Sequence, residues 1–221
     1  KALLKAQKPS SFFETLRLMN QLDYWFPEAQ ALIGVPQNQK YHGEGDVWNH
    51  TMMVIDECAK LRDRASDKIA FMLTGLVHDF GKAVCTEEKD GVYHAYAHEF
   101  EGLPLVKKFV RRLTSERSLL DYVLNMTRLH MKPNTLSGLG VKIKTTNKMF
   151  DDSVCPEDLI LVAIADDMGR INMTMNEEEF KSLRRTTDEF LYERLEVYKK
   201  YMLRPYVMGR DLIEAGLKPN E

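Results

Sequence analysis

No run in these 221 residues approaches the roughly eighteen consecutive apolar side chains that a membrane-crossing helix needs, so none is expected. Cysteines are scarce: Cys58, Cys85 and Cys155 are odd in number, widely spaced and form no Cys-x-x-Cys pair. That argues against a disulfide framework and points to structural thiols in a reducing cytoplasm. Charge of one sign is missing too. With 31 Lys and Arg against 33 Asp and Glu, the net charge of −2 gives no overall field for nucleic acid, although a local patch stays open. Period-2 alternation is rare and no Asn-Gly turn occurs, so strands are not expected. There is no internal repeat or low-complexity segment. The opening "KALLKAQKPSSFFETL" is broken by charges and a proline, unlike a signal peptide. It also lacks an initiator Met, which leads to the expectation of an internal starting point in a longer chain.

What remains is a helical pattern. Hydrophobic residues make up 44% of the chain and charged ones 29%, enough for a sizeable core in one domain with or without an appendage. Ser11 and Glu14 have capping-box spacing before Phe12, Leu16 and Met19, which fall at helical intervals. Further helices are expected from His50, over Ser66 to Lys82 with Gly81 as the stop, and over about Glu99–Leu113 and Ser118–His130. The last of them cover about Pro156–Met168 and Asn176–Tyr201. The span "KAVCTEEKDGVYHAYAHEF" reads as a loop or short turn. The fold class is therefore all-α: a neck at residues 1–40, a main domain at 41–203, and a segment at 204–221 expected to be a cut-off helical element.

Several polar residues sit where helices should bury none. His50 opens a Met-rich helix, His78-Asp79 closes the apolar run "FMLTGLV", His130 ends "LLDYVLNMTRLH", and Asp166 follows "DLILVAIA". A carboxylate so placed has to be paired or metal-bound, because desolvation otherwise drives it to the neutral form. A salt link is one answer and a metal another. Two imidazoles and two carboxylates without thiolate suit Mn, Fe, Co, Ni or Mg rather than structural zinc. His42 and His94 are read as hydrogen-bonded structural residues.

At these residues the chain resembles the HD superfamily of metal-dependent phosphohydrolases. Its pattern of His, His-Asp and a distant Asp maps onto His50, His78-Asp79 and Asp166. Some members add two histidines, and His98 in "YAHEFEG" and His130 in "RLHMKP" occupy those places. The stretch from "KPSSFFETL" to "GEGDVWNHT" looks like the segment preceding the HD domain of bacterial multifunctional tRNA CCA-adding enzymes. "ADDMGR" resembles that group's AD-x-x-GR and favours Asp166 over Asp167, and "GRDLIEAGLKP" resembles the element after the HD domain. That group's nucleotidyltransferase motif, a Gly-Ser with paired Asp, has no counterpart here, so this chain by itself is not expected to add CCA.

The resemblance implies hydrolysis of 2′,3′-cyclic nucleotides, 2′-nucleotides or phosphate monoesters with one or two divalent ions. His50, His78, Asp79 and Asp166 would hold the first ion. Asp79 would bridge to a second held by His98 and His130, unless those two meet phosphate instead. Lys82 and, more weakly, Arg170 would face the phosphate, with a solvated lysine and an Asp167–Arg170 ion pair as the plainer readings. Two alternatives stand beside this. One is an RNA-binding body that holds tRNA in the full-length enzyme, using "VKKFVRR" (106–112) or "VKIKTTNK" (141–148). The other is an HD hydrolase of nucleoside triphosphates or signalling nucleotides.

Overall fold

The computed structural model describes residues 1–138, 140–201 and 209–216. Its longer helices are α1 Ser10–Leu18, α2 Val47–Leu61, α3 Lys68–Val77, α4 Leu103–Leu113, α5 Arg117–Leu129, α6 Ile143–Asp152, α7 Pro156–Met168 and α8 Glu177–Tyr201. The fold is all-α, apart from one small hairpin. A short helix spans Gly209–Glu214; the remainder of the expected 204–221 element lies outside the described residues.

Helix α3 is buried along its whole length from Ala70 to Val77, because its sequence offers no polar face after Lys68. It lies against α2, α5 and α7. Each large apolar side chain fully buried there contributes ~1.5–3 kcal/mol. Helix α4 is the opposite case. Val106, Phe109 and Val110 face the core, while Lys107, Lys108, Arg111 and Arg112 point outward. Phe13, Leu22, Ala29 and Leu32 from the first forty residues enter the same buried cluster as Trp48, Leu76, Phe80 and Phe109.

Three local expectations are corrected. The Ser11–Glu14 capping box does not form: the helix starts at Ser10 with Pro9 at its N-cap and no side-chain cap, so Ser11 stands inside the first turn. Ser10 bonds to Asp56 through its backbone N (2.9 Å) and Oγ (2.6 Å), and Glu14 accepts from Trp48 Nε1 at 2.6 Å. Tertiary partners outcompete the local cap. The span after Lys82 is not plain loop. It holds a helical turn, Lys82–Cys85, and an antiparallel hairpin, β1 Glu87–Lys89 and β2 Val92–His94. Asp90 (φ 53°) and Gly91 (φ 74°) both take positive φ, as a two-residue type I′ turn requires.

The third correction concerns Gly81. Helix α3 already stops at Val77, with His78 as its C-cap, and Gly81 is right-handed at φ −63°. Its missing side chain serves a close approach. A Cβ there would lie 2.0 Å from the His98 carbonyl and 2.8 Å from the Gly102 backbone N. Gly102 in turn breaks the expected Glu99–Leu113 helix into His98–Glu101 and α4. This backbone contact sets His98 beside Asp79.

Candidate metal centre

The residues singled out in the sequence come from five separate elements. His50 lies in the first turn of α2, whose N-terminus is capped by Asp46 accepting from Asn49 N at 2.9 Å. His78 and Asp79 follow α3, His98 opens its short helix, His130 ends α5, and Asp166 stands in the last turn of α7. All except Asp166 are more than nine-tenths buried.

They form two groups that share Asp79. On one side His50 Nε2 is 3.0 Å and His78 Nε2 3.6 Å from Asp166 Oδ1, and the same nitrogens are 3.6 and 3.3 Å from Asp79 Oδ2. On the other side Asp79 Oδ1 is 3.1 Å from His98 Nε2 and 3.8 Å from His130 Nε2. One carboxylate thus turns one oxygen to each trio. Within His50–His78–Asp166, and within Asp79–His98–His130, the donor atoms all lie within 4.8 Å of one another.

The tautomers follow from the backbone. His78, His98 and His130 each set Nδ1 against the carbonyl three residues earlier: Gly75 at 2.9 Å, Ala95 at 2.9 Å and Thr127 at 2.7 Å. His50 Nδ1 faces the Gly169 carbonyl at 3.2 Å. A carbonyl only accepts, so each Nδ1 carries a proton, and each ring, when neutral, turns a bare Nε2 inward. His98 and His130 then oppose Nε2 to Nε2 at 3.3 Å, an arrangement that needs a proton or a cation between them. His78 Nε2 and Asp79 Oδ2 have no hydrogen-bond partner, although Lys82 Nζ approaches that oxygen to 2.7 Å. Orphaned donors of this chemistry, all N and O without sulfur, fit a divalent ion.

Protonation reflects the same crowding. Burial disfavours charge on His78, but Asp79 and Asp166 outweigh it and push its pKa up to about 10. Burial, with the neighbouring charges of His78 and His98, takes His130 down to about 3. Burial raises Asp79 and Asp166, yet the surrounding histidines hold both well below the usual carboxylate range. Proton and metal therefore compete for the same inward nitrogens.

Lys82 and Arg170 line the cavity above this floor, about 260 Å³ in volume, but neither projects freely. Lys82 Nζ is held between Asp79 and Gln37 Oε1 (2.8 Å), so the solvated-lysine reading is replaced by an ion pair. Arg170 Nη2 pairs with Asp167 Oδ1 at 2.8 Å and its guanidinium lies 5.6 Å from the Phe180 ring centre. Asp167 is turned away from the histidines, toward Arg170 and Arg184, which leaves Asp166 as the inward carboxylate. The cavity wall adds Gln37, Asn38, Tyr41 and Tyr93, which sequence reasoning did not single out. It also missed Glu44, whose only signal was an acid between two glycines just ahead of His50. His42, read as structural, hydrogen-bonds Glu44 at 2.8 Å and also lines the cavity. His94 stacks on Tyr96 with ring centres 5.1 Å apart at the mouth.

Residues 47–171 match the family described as HD domain. The chain is 36% identical over 148 residues to the Multifunctional CCA protein of Shewanella frigidimarina, covering 67% of this chain and 34% of that protein. Its counterpart in Shewanella denitrificans is 34% identical over 176 residues, 77% of this chain and 41% of the relative. A third, from Actinobacillus pleuropneumoniae, is 30% identical over 177 residues, 76% and 42% respectively. The chain thus spans about two fifths of the length of the curated relatives it matches, or somewhat less.

Proposed function

This chain belongs to the HD domain family, and from that premise we propose that it is a metal-dependent phosphohydrolase acting on 2′,3′-cyclic nucleotides, 2′-nucleotides or phosphate monoesters. The observation that carries the reading is the double trio joined by Asp79, in which four inward Nε2 atoms face carboxylate oxygens or each other, and His78 Nε2 has no hydrogen-bond partner. His50, His78, Asp79 and Asp166 would hold one ion, and Asp79, His98 and His130 a second, drawn from Ni, Mn, Co, Fe or Mg. Such an ion supplies an acidified water and charge neutralisation at phosphorus.

The chain's own residues supply the rest. Lys82, fixed by Asp79 and Gln37, places a positive charge on the cavity wall beside Asp79, where a phosphoryl group would lie. Arg170 is held at the rim by Asp167 for a second anionic contact. Tyr41, Tyr93, Gln37 and Asn38 offer aromatic faces and amides to the remainder of a nucleotide.

The test is metal content by mass spectrometry, paired with turnover of 2′,3′-cyclic AMP across divalent ions. Absence of both bound metal and turnover with every ion sinks the proposal. A substrate panel including nucleoside triphosphates and signalling nucleotides separates the narrower readings. A second function, tRNA contact within a longer enzyme, is favoured by the outward basic face of α4, with Lys107, Lys108 and Arg111, and by the names of the relatives. Salt-dependent tRNA binding that survives His78→Ala and Asp79→Ala would support it.

A further inference from the structure

One buried acid is unused by the reading above. Glu44 has a side chain only 2% exposed, on the segment between residues 36 and 46. Its Oε1 lies 3.1 Å from His50 Nδ1 and 2.8 Å from His42 Nδ1, and its Oε2 accepts from Ile171 N at 2.8 Å. Around it Gly43 N donates to Ile171 O at 2.8 Å, and Asn49 Nδ2 donates to Glu44 O at 3.1 Å. The acid therefore ties the start of α2 to the segment that leaves α7 after Asp166. Gly169 makes this close approach feasible, since a Cβ there would meet Val54 backbone atoms at 2.8 Å.

His42, Glu44 and His50 form a third group within ligand distance, but they do not suit an ion. His50 Nδ1 faces two acceptors, Glu44 and the Gly169 carbonyl, while its Nε2 faces Asp79 and Asp166. A neutral imidazole has one lone pair, and this arrangement commits it to Nε2. An ion at Nδ1 would require the ring to lose its only proton.

We propose that Glu44 is a positioning residue of the metal centre: its carboxylate keeps the proton on His50 Nδ1 and thereby strengthens Nε2 as a donor to a divalent cation. This rests on the metal-centre reading of His50. The physical effect is that of a carboxylate behind a metal-ligating imidazole, which fixes the ring and raises its basicity, and whose loss typically weakens metal binding 10- to 100-fold.

The experiment measures Co²⁺ binding by calorimetry and the visible spectrum of the Co²⁺-loaded protein. It compares wild type with Glu44→Gln, Glu44→Ala and Glu44→Asp, with circular dichroism on each metal-free protein. Glu44→Gln, which keeps size and loses charge, is expected to bind Co²⁺ about 10-fold more weakly or worse, with a changed visible spectrum and intact helical signal. Glu44→Asp recovers part of the affinity. Unchanged affinity and spectrum in Glu44→Gln overturns the proposal, and so does an affinity loss that appears only with loss of helical signal. A wild type that binds no Co²⁺ removes both this inference and the metal-centre reading. A wild type that binds Co²⁺ but turns over no phosphoester overturns the hydrolase reading alone.

Discussion

Helix α7 carries a buried carboxylate in each of its end turns, and the two have opposite surroundings. At the N-terminal end Asp158 accepts from Ser66 N at 3.0 Å, from Ser66 Oγ at 2.6 Å and from the Tyr122 hydroxyl at 2.6 Å. Every neighbour is a donor, and the acid is closed into the protein. At the C-terminal end Asp166, with Asp79 beside it, faces imidazole nitrogens that are themselves acceptors when neutral. Helix and residue type are alike and both side chains face inward, although Asp166 is slightly more exposed, so the main difference lies in whether the protein completes the hydrogen bonding. Satisfied buried acids hold a fold together; a buried acid oxygen without a hydrogen-bond partner, as at Asp79 Oδ2, calls for an explanation, and a cation is the one proposed.

The sharpest way to break this comparison is Asp79→Asn. Turnover is expected to fall by well over the ~100-fold that loss of a partner outside the ligand set produces, and the metal-induced rise in Tm should vanish. Ion titration followed by melting checks it; a variant still stabilised by metal would contradict the bridging role. At the other end of α7, Asp158→Ala strands the Ser66 and Tyr122 donors and should destabilise by ~2–4 kcal/mol in urea unfolding. Ion affinity of the folded protein should be retained, because none of those partners touches the histidines.

Chelation probes the open end without mutation. A metal-loaded protein at about 100 times its Kd should lose ~2.7 kcal/mol of stability on removal of the ion, and regain it on re-addition. Acid should do the same gradually, since protons displace metal from the inward nitrogens, so affinity should decline as pH is lowered in calorimetric titrations.

The smallest effect belongs to a satisfied pair in which a buried glutamate meets an exposed arginine. Glu28 accepts from Arg112 through both oxygens, at 2.8 and 2.6 Å. Burial raises its pKa, but the guanidinium outweighs that and holds it below the ordinary glutamate value. A depressed carboxylate stabilises the fold above its unfolded pKa, and that contribution disappears as pH falls through the folded one. Arg112→Met should therefore lower stability near neutrality, where the pairing contributes in full, and flatten the acid limb between those two values, so that the variant and wild type converge at low pH in urea unfolding.

Much of this was legible in the chain. The Pro156–Met168 helix has the bounds its periodicity and N-terminal proline indicate, and Asp166 was conspicuous because it follows an unbroken apolar run. His50, His78-Asp79 and His130 stood out for the same reason, as polar groups at the edges of apolar runs. What escaped is what depends on backbone meeting backbone. Gly81 looks like a helix stop in sequence, yet its use is contact with the His98 carbonyl some seventeen residues away. The hairpin was missed because its strands are three residues each and mostly exposed, and its turn is Asp-Gly rather than Asn-Gly. Glu44 was silent because nothing in its spacing marks it: its carboxylate meets His42, read as structural, His50, and a main-chain N–H far along the chain.

The carbonyl-anchored histidines have a consequence for how quickly and selectively an ion could settle. Three rings, those of His78, His98 and His130, have already surrendered their rotation to main-chain oxygens that no side-chain substitution removes. Ordering a free side chain typically opposes binding by ~0.5–1.5 kcal/mol. Here that opposition is met during folding, so a cation would meet a rigid template whose geometry, rather than its adaptability, would decide which metal is retained.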